Sequence, residues 1–310
     1  MTSPSSVTAT LTAPSALPTA PGATGARPVR DRPWAVALLA TVLIGGVLAA
    51  MAMFPEGVVV SRDPGYRPMP VHLLLVPTVL CIALTILLPA GTGSSEALVH
   101  RPGRARGEAA ALVGLAVGFT LLVPVLPLPE DYVLLKALMF MLVPCLGLWW
   151  VARRCGASVV VARPEVSAAV IMLPALLVGV LSTVGPFSNG SPTSWPPLAV
   201  LLVGATATAI TASVGEELLF RRFLQTRLEA LWGRWTGILA ASLLFGLMHV
   251  FSHGGDSLGQ SAVLVITLQG TLGFAMGLLW SRWRRLWVCM LAHLLVNGLG
   301  VVLHLLGLGG

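Results

Sequence analysis

Long apolar runs separated by short polar segments make up most of the chain. Each run has close to the roughly 20 residues that an α-helix needs to cross a bilayer core of about 30 Å. Charged residues and clusters of Pro and Gly bound nine such runs, at residues 35–54, 70–90, 109–128, 133–152, 167–186, 197–221, 236–252, 261–280 and 286–306. The pattern predicts an all-α fold, a polytopic transmembrane helix bundle of about eight or nine spans.

Composition excludes an ordinary soluble domain. The 310 residues are 56% hydrophobic and 10% charged, whereas soluble domains are about 25% charged. Residues 1–33 differ from the rest because Ser, Thr, Ala, Pro and Gly dominate them without an apolar period, which predicts a disordered cytoplasmic tail. Beyond this tail we predict N-terminal transmembrane helices in residues 34–190 and a C-terminal transmembrane core in residues 195–306.

The distribution of basic residues predicts the orientation in the membrane. Arginine and lysine collect in cytoplasmic loops, and with the N-terminus inside, 16 of the 19 basic residues fall in inner segments. We therefore expect a multi-pass protein of the cell membrane with a cytoplasmic N-terminus and the lipid bilayer as its surroundings. Lys136 falls near the outer end of the fourth run, where a lysine can extend to the interface. The basic residues form no stripe or tail, so no nucleic-acid partner is expected.

A few ionisable residues lie within the late apolar runs. Each ionised side chain inside hydrocarbon costs at least about 2.5–3.5 kcal/mol on insertion scales, so such residues indicate a functional site. They are Glu216, Glu217, Arg221, His249 and His293.

The acidic pair of the sixth run is divided by helix geometry. Glu217 and Arg221 are four residues apart and share a helix face. Glu216 is rotated away from Arg221 and has no local partner, which suits a general base. An alternative interpretation is that all these charges anchor a solvated helix end.

The histidines also have neighbours on their own helix faces. Phe245 and His249 are four residues apart, as are His293 and Asn297. Each pair alone is typical of polar contacts between membrane helices. Together with Glu216, these side chains have the chemistry to activate a water and stabilise an oxyanion in a dry site. Transporters also keep such residues at depth, but no internal repeat supports a transporter.

Three short motifs in order resemble the CPBP intramembrane proteases, which include the CAAX prenyl endopeptidase Rce1 and the bacterial Abi and lysostaphin-resistance-like proteins. The resemblance covers about residues 195–305. The motifs are Glu-Glu-x-x-x-Arg, Phe-x-x-x-His and His-x-x-x-Asn, and their residues are Glu216, Glu217, Arg221, Phe245, His249, His293 and Asn297.

The resemblance implies an intramembrane endopeptidase that hydrolyses a peptide bond near the cytoplasmic leaflet. It implies that Glu216 and His249 activate the water and that His293 and Asn297 stabilise the oxyanion. The pair Glu217 and Arg221 is implied to brace the site. A protein or peptide in or at the membrane is the expected substrate.

Two alternatives stay open from the sequence. Glu216, His249 and His293 are also a familiar zinc ligand set, although a metal-free mechanism with no cofactor is preferred. His249 and His253 are four residues apart but are followed at once by two glycines, which disfavours them as a metal pair. The protein is alternatively a non-proteolytic scaffold that regulates a partner membrane protein, but a scaffold has no physical need for the complete set of polar residues.

Overall fold

The computed structural model describes residues 28–61, 64–252 and 255–308. Most of the predicted tail, residues 1–27, and His253 of the possible metal pair lie outside the described residues. The described part contains nine long helical segments: α1 Pro33–Met53, α2 Val71–Leu87, α3 Pro102–Val125, α4 Pro129–Cys155, α5 Ala168–Thr183, α6 Leu198–Trp232, α7 Arg234–Leu247, α8 Leu258–Trp283 and α9 Leu286–Leu305. Two short strands, β1 Ala97–Val99 and β2 Val159–Val161, pair antiparallel.

The helices confirm the predicted fold class. Each overlaps one of the nine apolar runs, and six of them are long and apolar enough to cross a membrane. The other three, α2, α5 and α7, are shorter apolar helices of 10–17 residues. The protein is therefore an integral membrane helix bundle, with three helices shorter than the full spans expected from hydropathy.

The C-terminal boundary of α6 differs from the prediction. The sixth run was expected to end at the arginines near residue 221, but α6 continues to Trp232. It continues because its polar residues are satisfied inside the protein: the Gln225 side chain donates to the Gly277 carbonyl at 2.8 Å, and Trp280 Nε1 donates to Thr226 Oγ1 at 3.1 Å. A polar stretch therefore ends a hydropathy run without ending the helix.

The loops gather at the two ends of the bundle in the predicted alternation. At the arginine-rich end, Arg227 forms an ion pair with Glu108 at 2.8 Å. Hydrogen bonds at the same end also join Thr236 to Asp31, Arg285 to Pro164 and Arg104 to Cys155. At the opposite end, the Arg67 amide donates to the Asn189 carbonyl at 2.8 Å. The cytoplasmic location of the arginine-rich end stays a prediction.

Glycines allow α7 and α8 to pack closely. A Cβ atom on Gly246 of α7 would lie 2.8 Å from the backbone oxygen of Val265 and 3.1 Å from the Cα of Gly270, both in α8. Small residues at such crossings are common in membrane bundles because they let backbones approach. This contact holds the C-terminal end of α7, and therefore His249, against the rest of the core.

We expect Gly246→Ala to destabilise the bundle by about 1–3 kcal/mol, because backbone atoms of α8 must move. The measurement is the apparent unfolding temperature of the purified protein in detergent. Gly114→Ala in α3 is the matched control, since a Cβ there meets nothing within 4 Å and alanine favours helix. Equal unfolding temperatures for the two variants would contradict the close packing.

Candidate active site

The five ionisable residues predicted at membrane depth come together in the structure. Glu216, Glu217 and Arg221 lie in α6, His293 lies in α9, and His249 follows the C-terminal end of α7. All five are buried, from 0% exposure for Glu217 and Arg221 to 9% for His249. Much of α6 here is π-helical, over Ala209–Glu216 and Leu218–Gln225. Such wide turns occur often at functional sites.

Glu216 lies between the two histidines. Its Oε1 is 3.8 Å from His249 Nε2, and its Oε2 is 3.8 Å from His293 Nε2. Both separations are longer than a direct hydrogen bond, but each is short enough for one small molecule to contact both groups. The site therefore presents a carboxylate flanked by an imidazole nitrogen on each side.

A second line of contacts fixes the orientation of His293. Its Nδ1 is 2.9 Å from Glu217 Oε1, and Arg221 Nε donates to Glu217 Oε2 at 3.1 Å. The contact predicted between Glu217 and Arg221 is thus confirmed. Since Glu217 occupies Nδ1, the other nitrogen of the ring, Nε2, faces Glu216.

Phe245 packs at the centre of this group. Its ring centroid is 5.1 Å from that of His249 and 6.0 Å from that of His293, and the Arg221 guanidinium carbon is 4.9 Å from it. The Phe245 carbonyl is 2.9 Å from His249 Nδ1, which leaves Nε2 facing the carboxylate. Phe245 therefore packs against Arg221 and both histidines at once.

Lys136 was wrongly predicted to extend to the membrane interface. It is 4% exposed, and its ammonium forms an ion pair with Glu216 Oε1. Its Nζ also donates to Tyr132 Oη at 3.2 Å. Glu216 has no charged partner on its own helix, but Lys136, 80 residues earlier in the sequence on α4, is its partner from another helix. The signal available in the sequence was that Lys136 is its single lysine.

Asn297 occupies a different position from the other predicted residues. It is exposed, one turn of α9 beyond His293, and it lines a groove of about 370 Å³ between α6 and α9. Ser213, one turn before Glu216 in α6, lines the same groove, which extends to Trp195. The groove therefore approaches the buried carboxylate from the end of the bundle opposite the arginine-rich loops.

The donor set does not fit a divalent metal ion. Among the described residues, no group of three or more His, Cys, Asp or Glu side chains is arranged to hold one. Lys136 contacts Glu216 Oε1, so a positive charge already lies where Glu216 would have to coordinate. His253 lies outside the described residues, so the pair with His249 is not tested. The metal-free mechanism stays a prediction.

The depth of His249 also differs from expectation. In the predicted run 236–252, His249 is near the outer end, whereas Glu216 is near the inner end of its own run, 197–221. In the structure α7 ends at Leu247, and its short length lets the following turn reach the middle of the bundle. Because α7 is too short to span the membrane, His249 lies at the same depth as Glu216, 3.8 Å from its carboxylate.

Comparison with known families agrees with this geometry. Residues 195–299 match the family model "Type II CAAX prenyl endopeptidase Rce1-like". This part of the chain is similar to that family. The match confirms the resemblance predicted from the motifs, and it supports a protease of the CAAX type at the level of the family, with a protein substrate. No curated protein and no solved structure matches the chain.

The Rce1-like segment begins just before α6 and ends within α9. It includes all six predicted site residues. It does not include Lys136, although Lys136 contacts Glu216 directly. The site in the structure is therefore larger than the segment that the family comparison identifies.

Proposed function

We propose that the protein is an intramembrane endopeptidase that hydrolyses a peptide bond of a membrane-associated protein with a water activated by Glu216. The observation that carries the proposal is the position of the Glu216 carboxylate, 3.8 Å from a nitrogen of each histidine. A carboxylate beside two imidazoles in a buried site suits proton transfer to and from a reacting water. The Rce1-like match supports the reaction class.

In the proposed reaction, Glu216 and His249 hold a water, and Glu216 accepts one of its protons. The resulting hydroxide attacks the carbonyl carbon of the substrate peptide bond, whose oxygen becomes an oxyanion. Protonated His293, whose Nδ1–H is directed at Glu217, donates a hydrogen bond from Nε2 to that oxygen, and Asn297 donates one from its side-chain amide. The carbon–nitrogen bond then breaks, the proton passes from Glu216 to the leaving nitrogen, and the products are one carboxylic acid and one amine. Glu217 and Arg221 act by holding His293 in position.

We propose that the substrate segment lies in the groove beside Asn297. Ser213 and Asn297 line the groove, one helical turn from Glu216 and from His293 respectively, so an extended peptide in it lies beside the catalytic group. Eight residues of α9 separate Arg285 from His293, or about 12 Å at the rise of an α-helix. Cleavage on the side of the bundle nearer the arginine-rich end agrees with the cytoplasmic-leaflet site predicted from the sequence.

The proposal is tested by hydrolysis in ¹⁸O-labelled water. Membranes from a strain that lacks the protein are solubilised and incubated with the purified full chain, and peptide termini are measured by mass spectrometry. Hydrolysis places one ¹⁸O atom in each new C-terminal carboxylate, which identifies both the reaction and the substrate. The same membranes without the added protein are the control. If the two samples carry the same labelled termini, the proposal fails.

A metal-free mechanism predicts that cleavage survives chelation. We expect prolonged treatment with EDTA and 1,10-phenanthroline in detergent to leave the rate of cleavage unchanged, because the ammonium of Lys136 disfavours a dication at Glu216. A parallel sample with chelator and excess zinc controls for inhibition by the chelators themselves. Loss of activity that zinc restores would show that the metal-free assignment is wrong.

A further inference from the structure

The contact between Lys136 and Glu216 joins the Rce1-like segment to a helix that lies outside it. Glu216 belongs to the Rce1-like segment, and Lys136 lies in α4, which that segment does not include. Both side chains are almost completely buried, at 5% and 1% exposure. A buried ammonium is unfavourable without a partner, so the contact accounts for a lysine at this depth.

The contact also determines how the Glu216 carboxylate is oriented. The ammonium of Lys136 contacts Oε1 of Glu216, whereas the Nε2 atoms of both histidines are 3.8 Å from the carboxylate oxygens. Of these three basic groups, the ammonium of Lys136 is therefore the closest to the carboxylate. By attracting Oε1, it leaves Oε2 directed at His293.

Lys136 is itself held in place. Its Nζ donates to Tyr132 Oη at 3.2 Å, one helical turn earlier in α4. The Tyr132 ring packs against Phe119 of α3 with ring centroids 5.3 Å apart. A lysine fixed at both its backbone and its ammonium is able to set the position of a neighbouring carboxylate.

We propose that Lys136 is a positioning residue of the active site, which holds the Glu216 carboxylate in the rotamer that faces both histidines. This inference rests on the proposed function, and it extends the site to a helix outside the Rce1-like segment. Lys136 acts through Glu216 and does not touch the substrate.

The test measures kcat and KM of three purified full-length variants on a substrate identified by ¹⁸O labelling. We expect Lys136→Met to lower kcat by about 10- to 100-fold with little change in KM, because a misplaced catalytic group loses rate without loss of binding. Lys136→Arg keeps a cation and should recover part of that kcat. Phe140→Leu is the control for stability, since Phe140 is buried in the same helix and packs against Phe119 and Phe220.

We expect Phe140→Leu to lower the apparent unfolding temperature while kcat stays near the wild-type value. A wild-type kcat in Lys136→Met would overturn the proposal. The proposal would also be overturned if both Lys136→Met and Phe140→Leu lost kcat in proportion to their fall in unfolding temperature.

A second measurement separates this proposal from the proposed function. Unfolding temperatures are compared for Lys136→Met, Glu216→Gln and the double variant. If the two groups are in contact, the double variant should be more stable than the sum of the single effects predicts, because no buried charge is left alone. Additive losses would overturn the contact and the proposal with it. If the stability losses are coupled but the wild-type protein cleaves no substrate, the contact is real and the proposed function is wrong. The positioning role then fails with the proposed function.

Discussion

Replacing Glu216 with glutamine is expected to lower the rate of cleavage by about 100- to 10,000-fold, the usual contribution of a general base. Glutamine has the size and shape of glutamate but does not accept the proton of the attacking water. The measurement is the rate at which the purified variant produces ¹⁸O-labelled termini from an identified substrate.

The loss must be separated from the effect of leaving Lys136 without a partner. Glu216→Gln breaks the buried ion pair between the two, and an unpaired buried charge destabilises a protein. The control is the double variant Glu216→Gln/Lys136→Met, which removes both charges together. We expect it to be as inactive as Glu216→Gln but closer to the wild type in unfolding temperature. Activity in the double variant would show that Glu216 is not the base.

Replacing Arg221 with alanine is expected to have the largest effect on stability. Arg221 is 0% exposed and pairs with Glu217, which is also 0% exposed. Removing the arginine leaves the Glu217 carboxylate buried with His293 as its remaining partner, and breaking a buried pair in this way costs about 3–5 kcal/mol. We expect a marked fall in the apparent unfolding temperature in detergent, together with lower activity because Glu217 also orients His293.

The neighbouring arginine provides a matched control for this prediction. Arg222 is half-buried, and its guanidinium carbon lies 6.0 Å from the centroid of the Trp280 ring. Arg222→Ala removes the same charge from the adjacent position, and such a cation–π contact is worth about 0.5–2 kcal/mol. If Arg222→Ala lowers the unfolding temperature as much as Arg221→Ala does, the buried pair is not the source of the stability.

The sequence predicts the helices well because hydropathy reports the environment of each helix. In a bilayer every backbone polar group must be satisfied within the helix, so each apolar run here corresponds to a helix. The predicted helix lengths are wrong where a helix packs against protein instead of lipid. The polar end of α6 is buried against α8, and α7 is only 14 residues long, so neither has the length that a lipid-exposed span would have.

The sequence predicts the contacts of the candidate site that form within one helix, but not those between helices. The four-residue spacing of Glu217 and Arg221 is sufficient to predict their contact. Lys136 could not be assigned in this way, because its contact with Glu216 depends on how α4 packs against α6. A position near the end of a run indicated the interface, whereas the side chain in fact turns toward the interior of the bundle.

The most direct test of the central claim compares the termini of membrane proteins in cells that carry the wild type or a variant. A strain that lacks the protein is supplied with either the wild type or Glu216→Gln at equal abundance, and termini of membrane proteins are measured by mass spectrometry. A glutamate-dependent protease predicts new pairs of N- and C-termini with the wild type that are absent with the variant. Identical termini in the two strains, with Glu216→Gln restoring whatever the deletion loses, would contradict proteolysis and identify the protein as a scaffold.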